Sequence, residues 1–136
     1  MGPSVSPAGE PSSQSAPPHS KSLSSGAFGV RVEQQGATLL LRLRGEFDRA
    51  CVGHVEAALE RISAITKRVV FDLQGLSFLD ARGLKTILRA NERARTEPFE
   101  VVVVRPLGLA SRVFTLTRAG EQLALVDHIP RTNGTA

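Results

Sequence analysis

The chain contains a single cysteine, Cys51, and with it a single candidate thiol nucleophile. Asp48, three residues earlier, is a residue type that caps helices, so Cys51 would lie in the first turn of a helix. A helix dipole lowers the pKa of a thiol there and makes it reactive. The alternative, which we favour, is a small, half-buried and inert side chain, the usual state of a free cysteine. One cysteine also excludes an internal disulfide.

A row of basic residues is the second feature that stands out. These residues are three, four and four positions apart and so share one helical face: Arg82, Lys85, Arg89 and Arg93. Such rows are usually solvated. Arg82, however, would be the second residue after a capping Asp80, where the helix dipole disfavours a cation by about 0.3–1 kcal/mol. Nearby carboxylates could offset that cost, those of Asp80, Glu46 or Asp48, and Arg82 is the candidate for function.

The common catalytic patterns are missing from the sequence. It has no Gly-x-Gly-x-x-Gly or phosphate-loop motif and no Gly-x-Ser-x-Gly nucleophile elbow. The three histidines, His19, His54 and His128, are far apart, and no spacing of His, Cys and carboxylates suggests a metal site. We expect a protein that is not an enzyme, with no metal site and no cofactor.

Composition narrows the choice of partners and compartment. A net charge of +4 permits an acidic partner. Aromatic residues make up only 4% of the chain and do not supply a stacking platform for single-stranded nucleic acid. No nucleic-acid-reading motif is present either, so we expect no direct nucleic acid binding. No apolar run approaches the roughly 18 residues that cross a bilayer, so we expect no membrane insertion. Together with the lone thiol, these features predict a cytoplasmic protein of undetermined oligomeric state.

The chain divides into three parts by composition. Residues 1–27 contain nine Ser, five Pro and three Gly, and such a segment buries too little apolar area to offset the entropy of ordering it. We predict a disordered tail over 1–27, a compact domain over 28–130 and a flexible end over 131–136.

Hydrophobic periodicity predicts alternating strands and helices within that domain. Strands are expected around Val30 and Val32 and over residues 38–44, 69–73 and 99–104. Helices are expected over 49–64, 81–95 and 106–120, with Gly120 as the stop, and residues 123–129 form a last element, helical or extended. The order β-β-α-β-α-β-α predicts an α/β fold: a mixed sheet of four or five strands packed against helices, with the first two strands antiparallel.

Four segments resemble the signature of STAS domains. Residues 43–48 (LRGEFD) are similar to the Gly-Glu-Leu-Asp segment of that family, and residues 69–80 (VVFDLQGLSFLD) to its strand and loop. Gly83-Leu84 follows as in the family, and residues 112–117 (RVFTLT) resemble its third helix. The resemblance is to the anti-sigma factor antagonists within this family and covers the whole predicted domain.

The resemblance implies a function as well as a STAS-like fold. Antagonists of this type bind a kinase-like anti-sigma factor, which phosphorylates a Ser or Thr just before the glycine at the start of the second helix and then releases them. Here that segment reads Asp80-Ala81-Arg82-Gly83, so Arg82 stands at the acceptor position and has no hydroxyl. Thr86, one helical turn further on, is a possible alternative acceptor.

We therefore expect a STAS-domain regulator that binds a kinase-like anti-sigma factor and is not switched at the usual position. The expected partner-binding residues are Glu46, Asp48, Asp80, Ala81, Arg82, Gly83, Lys85, Thr86 and Arg89. The alternative keeps the fold and changes the partner: a STAS accessory subunit or scaffold of a lipid-transport or other signalling complex.

Overall fold

A six-stranded mixed sheet forms the centre of the protein. The structure, a computed structural model, describes residues 20–25 and 28–131. The strands lie side by side in chain order; β1 and β2 are antiparallel, as are β2 and β3, and all later neighbours are parallel. Their bounds are β1 Ser20–Ser25, β2 Phe28–Gln35, β3 Thr38–Phe47, β4 Arg68–Leu79, β5 Glu100–Val104 and β6 Ala124–Val126.

Three α-helices connect the parallel strands, as crossovers between parallel neighbours require. Helix α1 (Val52–Leu59) follows a 3-10 turn at Arg49–Cys51, and α2 (Ala81–Arg93) follows β4 directly. Helix α3 (Arg112–Thr117) lies between 3-10 turns at Gly108–Ser111 and Ala119–Glu121. The predicted α/β fold and its mixed sheet are confirmed.

The main core lies on the face of the sheet that the helices cover. Alternation along β3 and β4 buries one set of side chains there, namely Leu39, Leu41, Leu43, Val69, Phe71 and Leu73. The other face carries a smaller apolar cluster formed by Leu40, Val70, Val102 and Val104. The central strands are thus apolar on both faces, which explains the continuous apolar runs in their sequences.

Strand β1 lies within the segment whose composition predicts a disordered tail. Residues 20–25 pair with β2, Ser20 opposite Glu33 and Ser25 opposite Phe28, and a sixth strand joins the four or five that were predicted. Backbone hydrogen bonding alone can add an edge strand, which composition does not reveal. The remainder of the predicted tail, residues 1–19 and 26–27, and residues 132–136 of the predicted flexible end lie outside the described residues.

The third predicted helix is wrong in its extent. Residues 106–107 do not belong to it: Leu107 is extended, and the helical run begins at Gly108, which has φ +61°. It ends at Arg118 rather than Gly120, because Arg118 adopts the left-handed conformation with φ 64°. The last element, left open between helix and strand, is the parallel strand β6.

Helix α2 approaches the end of β3 so closely that only glycine fits at position 83. A Cβ on Gly83 would lie 2.9 Å from the carbonyl oxygen of Phe47 and 3.0 Å from Cδ1 of Leu79. Gly53 in α1 offers the opposite case, since nothing lies within 4 Å of a Cβ there.

We predict that Gly83→Ala lowers the free energy of unfolding by about 1–3 kcal/mol, because the added methyl group overpacks this junction. The matched control Gly53→Ala should raise it by about 0.5–1 kcal/mol, the helix preference of Ala over Gly. Urea unfolding of both variants measures the difference. Equal effects at the two positions would contradict the close approach of α2 to β3.

Candidate functional site

The candidate site lies where the carboxyl ends of β3 and β4 meet. These strands are parallel neighbours, with Phe47 opposite Leu79 in the register. The residue that follows each strand is an aspartate, Asp48 after β3 and Asp80 after β4. Two carboxylates from separate segments of the sequence therefore lie at one edge of the sheet. They line a solvent-open cavity of about 380 Å³ together with Arg49 and Ala50.

Both aspartates act as helix caps, as the sequence predicted. Oδ1 of Asp80 accepts a hydrogen bond from the amide of Gly83 at 2.8 Å, and Oδ1 of Asp48 accepts one from the amide of Ala50 at 3.0 Å. The amide of Asp80 donates to the carbonyl of Phe47 at 3.2 Å. The carboxylates are therefore engaged with backbone donors of their own helix starts.

Arg82 extends from this edge into solvent. It and Ala81 are exposed, while Gly83 between α2 and β3 is buried. Within residues 20–25 and 28–131, no carboxylate pairs with Arg82; the ion pairs there involve other arginines. The sequence suggested Asp80, Glu46 or Asp48 as possible partners of Arg82, and none of them forms an ion pair with it.

The basic face of α2 divides into two halves. Arg89 pairs with Glu56 of α1 at 3.3 Å, and Arg93 pairs with Glu97 at 2.9 Å. Lys85, like Arg82, is exposed and forms none of the ion pairs found in the described part of the chain. The free cations thus lie in the first half of α2, next to the two aspartates.

Thr86 does not share the exposed face with Arg82. Its side chain is buried, with 2% of the residue exposed, and its hydroxyl donates to the carbonyl of Arg82 at 3.2 Å. This hydroxyl is therefore poorly accessible to a kinase. The structure thus brings together most of the expected site residues at one surface and places Thr86 beneath it.

Cys51 is buried beneath the same edge. Its thiol donates to the carbonyl of Glu46 at 3.6 Å and to Oδ1 of Asp48 at 3.5 Å. Burial raises the pKa of the Cys51 thiol above its ordinary value, and the neighbouring carboxylate charge of Asp48 adds to that rise although a backbone hydrogen bond opposes it. The thiol is thus buried and hydrogen-bonded rather than half-buried, and its inertness stays a prediction.

Sequence reasoning missed one residue of this surface, Phe78. It is 48% exposed beside buried Leu79 at the end of β4. The alternation of β4 was the available signal, because a residue next to an inward Leu79 points outward. Phe78 therefore lies on the face of the sheet opposite to Leu79, at the same end of the sheet as Asp80.

The described segments show no grouping of metal ligands at this edge. No group of three or more His, Cys, Asp or Glu residues there is placed to hold a metal ion. Within the same segments, no helix is long and apolar enough to cross a membrane. The edge carries the carboxylates of Asp48 and Asp80 and the exposed side chain of Arg82.

Comparison with known proteins identifies the fold family. The family model of the STAS domain matches residues 29–132. The chain belongs to the STAS domain family. Similar solved structures include the anti-sigma factor antagonist SpoIIAA in its unphosphorylated form, with a TM-score of 0.58 and 18% identity over 74% of this chain and 89% of that one.

A second similar structure is an anti-sigma factor antagonist from Mycobacterium paratuberculosis. Its TM-score is 0.65 at 25% identity, covering 79% of this STAS chain and 92% of that protein. Among curated protein sequences, none matches the chain. The expected resemblance to anti-sigma factor antagonists is confirmed at the level of the family and of its structural neighbours.

The burial of Cys51 predicts slow reaction with thiol reagents, because the protonated form is not nucleophilic. In the folded protein, labelling by a disulfide reagent at pH 7 should be much slower than in the protein unfolded in guanidinium. The folded state holds the thiol proton to a higher pH than the unfolded state, so stability should fall as the pH rises above the unfolded pKa.

The control variant Cys51→Ser should lack that loss of stability at high pH and should keep partner binding. Rapid labelling of the folded protein at neutral pH would contradict the inert thiol.

Proposed function

We propose that this STAS domain is an anti-sigma factor antagonist that binds a kinase-like anti-sigma factor and is locked in its binding state. It acts in the cytoplasm by association alone and catalyses no reaction. The proposal is supported by the family match and by two structural neighbours that are themselves anti-sigma factor antagonists. The proposed contact surface comprises Glu46, Asp48, Asp80, Ala81, Arg82, Lys85 and Arg89, and the buried Gly83 positions it.

The observation that carries the proposal is the exposed, unpaired guanidinium of Arg82. In the resembled family this position bears the hydroxyl that receives a phosphate, which adds about two negative charges to the contact surface. Arg82 places a permanent positive charge there instead, because a guanidinium is not deprotonated in proteins. A surface that cannot become negative at this position has no phosphorylated, released state.

Thr86 provides no evident substitute for the missing hydroxyl. It is the nearest hydroxyl further along α2, and it is buried and bonded to the carbonyl of Arg82. Its burial supports a protein held in one state. The neighbouring position before Arg82 is Ala81, which also lacks a hydroxyl.

The test is the affinity for a kinase-like anti-sigma factor, identified by mass spectrometry after capture with the intact protein. Arg82→Ala should weaken binding by about 1–3 kcal/mol, because it removes a charge-assisted hydrogen bond to an acidic group of the partner. The matched control is Arg61→Ala, another exposed arginine that forms none of the ion pairs of the described residues. Isothermal titration calorimetry measures both.

A second variant tests the locked state directly. Arg82→Ser restores a hydroxyl at the acceptor position, so incubation with the anti-sigma factor and ATP should add one phosphate to this variant and none to the natural protein. Phosphorylation of the natural protein by its partner, at Thr86 or elsewhere, would overturn the locked state. Capture of a transporter ATPase in place of a kinase-like protein would support the alternative of an accessory subunit.

A further inference from the structure

Three leucines between residues 107 and 116 are almost fully exposed. Leu107, Leu109 and Leu116 have 65%, 72% and 76% of their surface in solvent. Only two other large apolar residues in the described part of the chain are comparably exposed, Ile65 and Phe78. A concentration of exposed apolar side chains of this kind commonly marks a site of interaction.

The helical run that carries Leu109 and Leu116 exposes an apolar face. Its first turn, Gly108–Ser111, is a 3-10 helix, in which residues three apart point the same way, so Leu109 aligns with Arg112. In α3, residues four apart are neighbours, so Arg112 aligns with Leu116. Leu109, Arg112 and Leu116 therefore form one exposed line, which we name the α3 stripe.

The opposite side of the run packs into the core and holds the α3 stripe in place. Ala110 and Phe114 have only 2% and 8% of their surface exposed. The α3 stripe and the buried side therefore lie on opposite faces of the same helical run. The run has its own buried face and carries two further leucines that its packing does not need.

The charge of this region is unbalanced. Residues 105–131 contain four arginines and two carboxylates. Arg105 pairs with Asp127 at 2.8 Å, and Arg118 pairs with Glu121 at 3.6 Å. Both carboxylates are thus engaged, and Arg112, at the middle of the α3 stripe, forms none of the ion pairs of the described segments.

A cavity of about 520 Å³ opens beside the stripe. Ser111 and Thr115 of the same helical run line it, together with Arg105 and several apolar residues, among them Phe114, Leu123 and Leu125. This volume is ample for one bulky side chain of a partner. Apolar anchors that insert into such pockets supply much of the affinity of protein complexes.

We propose that the α3 stripe and this cavity form a second docking surface, which binds an acidic amphipathic helix of a partner protein. Leucine-like side chains of that helix would cover Leu109 and Leu116, one bulky side chain would enter the cavity, and a carboxylate would pair with Arg112. An apolar helix face laid onto a matching surface is a common recognition mode. The acidic character of the helix follows from the unpaired cation.

The probe is a synthetic peptide with Leu at positions i, i+3, i+4 and i+7 and Glu at the remaining ones, titrated into the full chain. We expect NMR shift changes centred on Leu109, Arg112 and Leu116. The double variant Leu109→Ser, Leu116→Ser should bind about tenfold more weakly, a loss equal to about 1.4 kcal/mol. Arg112→Glu should reverse the preference between this peptide and one with Lys in place of Glu.

Two controls match the variants in exposure and chemistry. Ile65→Ser removes an apolar residue that is 61% exposed elsewhere, and Arg61→Glu reverses an exposed charge; both should leave peptide affinity unchanged. Circular dichroism of each variant checks that it folds.

Three results would overturn the proposal. One is equal binding of the acidic and basic peptides. Another is a self-associating protein that the double variant makes monomeric, which would assign the stripe to a second copy of the chain. The third is binding to anionic lipid vesicles in preference to the acidic peptide.

Discussion

The carbonyl oxygen of Phe47 joins three elements of this protein. It accepts the amide of Asp80 at the end of β4 at 3.2 Å, and it lies where any side chain at position 83 would project. The end of β3, the end of β4 and the first turn of α2 are therefore held within contact distance of one another. Because Gly83 must face this oxygen, Arg82, one residue earlier, is turned outward. The exposed cation at the edge of the sheet is a consequence of this close packing.

The same packing decides which residues of α2 a partner could reach. The buried side of the helix carries Gly83, Leu84, Thr86, Ile87 and Ala90. Spacing alone suggests that Thr86 shares a face with Arg82, but residues four apart differ by about 40° around a helix. In α2, the boundary between the exposed and buried sides falls between Arg82 and Thr86. One hydroxyl is hidden while the cation a turn earlier is exposed, so the exposed side of this turn carries Arg82 and Lys85.

The existence and order of the central strands and first two helices could be predicted because their patterns come from local periodicity. Their extents were less accurate, since α1 ends at Leu59 rather than residue 64 and β4 continues to Leu79 rather than residue 73. Alternating leucines in β3 and the apolar run of β4 report burial directly, and both capping aspartates formed the predicted bonds. The third helix was overextended because its end depends on a left-handed Arg118, which residue preferences do not indicate. Strand β1 depends on pairing to β2, and the exposure of Phe78, Leu109 and Leu116 depends on packing between elements. Such features are properties of tertiary structure and cannot be derived from periodicity alone.

The arginines of this chain differ in what their charges do. Arg68, Arg93 and Arg105 pair with carboxylates. Exposed ion pairs of this kind contribute little to stability, but each one balances the positive charge of its arginine. Arg82 and Arg112 form none of the ion pairs of the described residues, and Arg112 lies between Leu109 and Leu116 on the α3 stripe. A largely exposed leucine such as Leu109 or Leu116 gains little from folding, because most of its surface stays in water. Neither the exposed cations nor the exposed leucines are needed to hold the domain together, and association is the role that we propose for both surfaces.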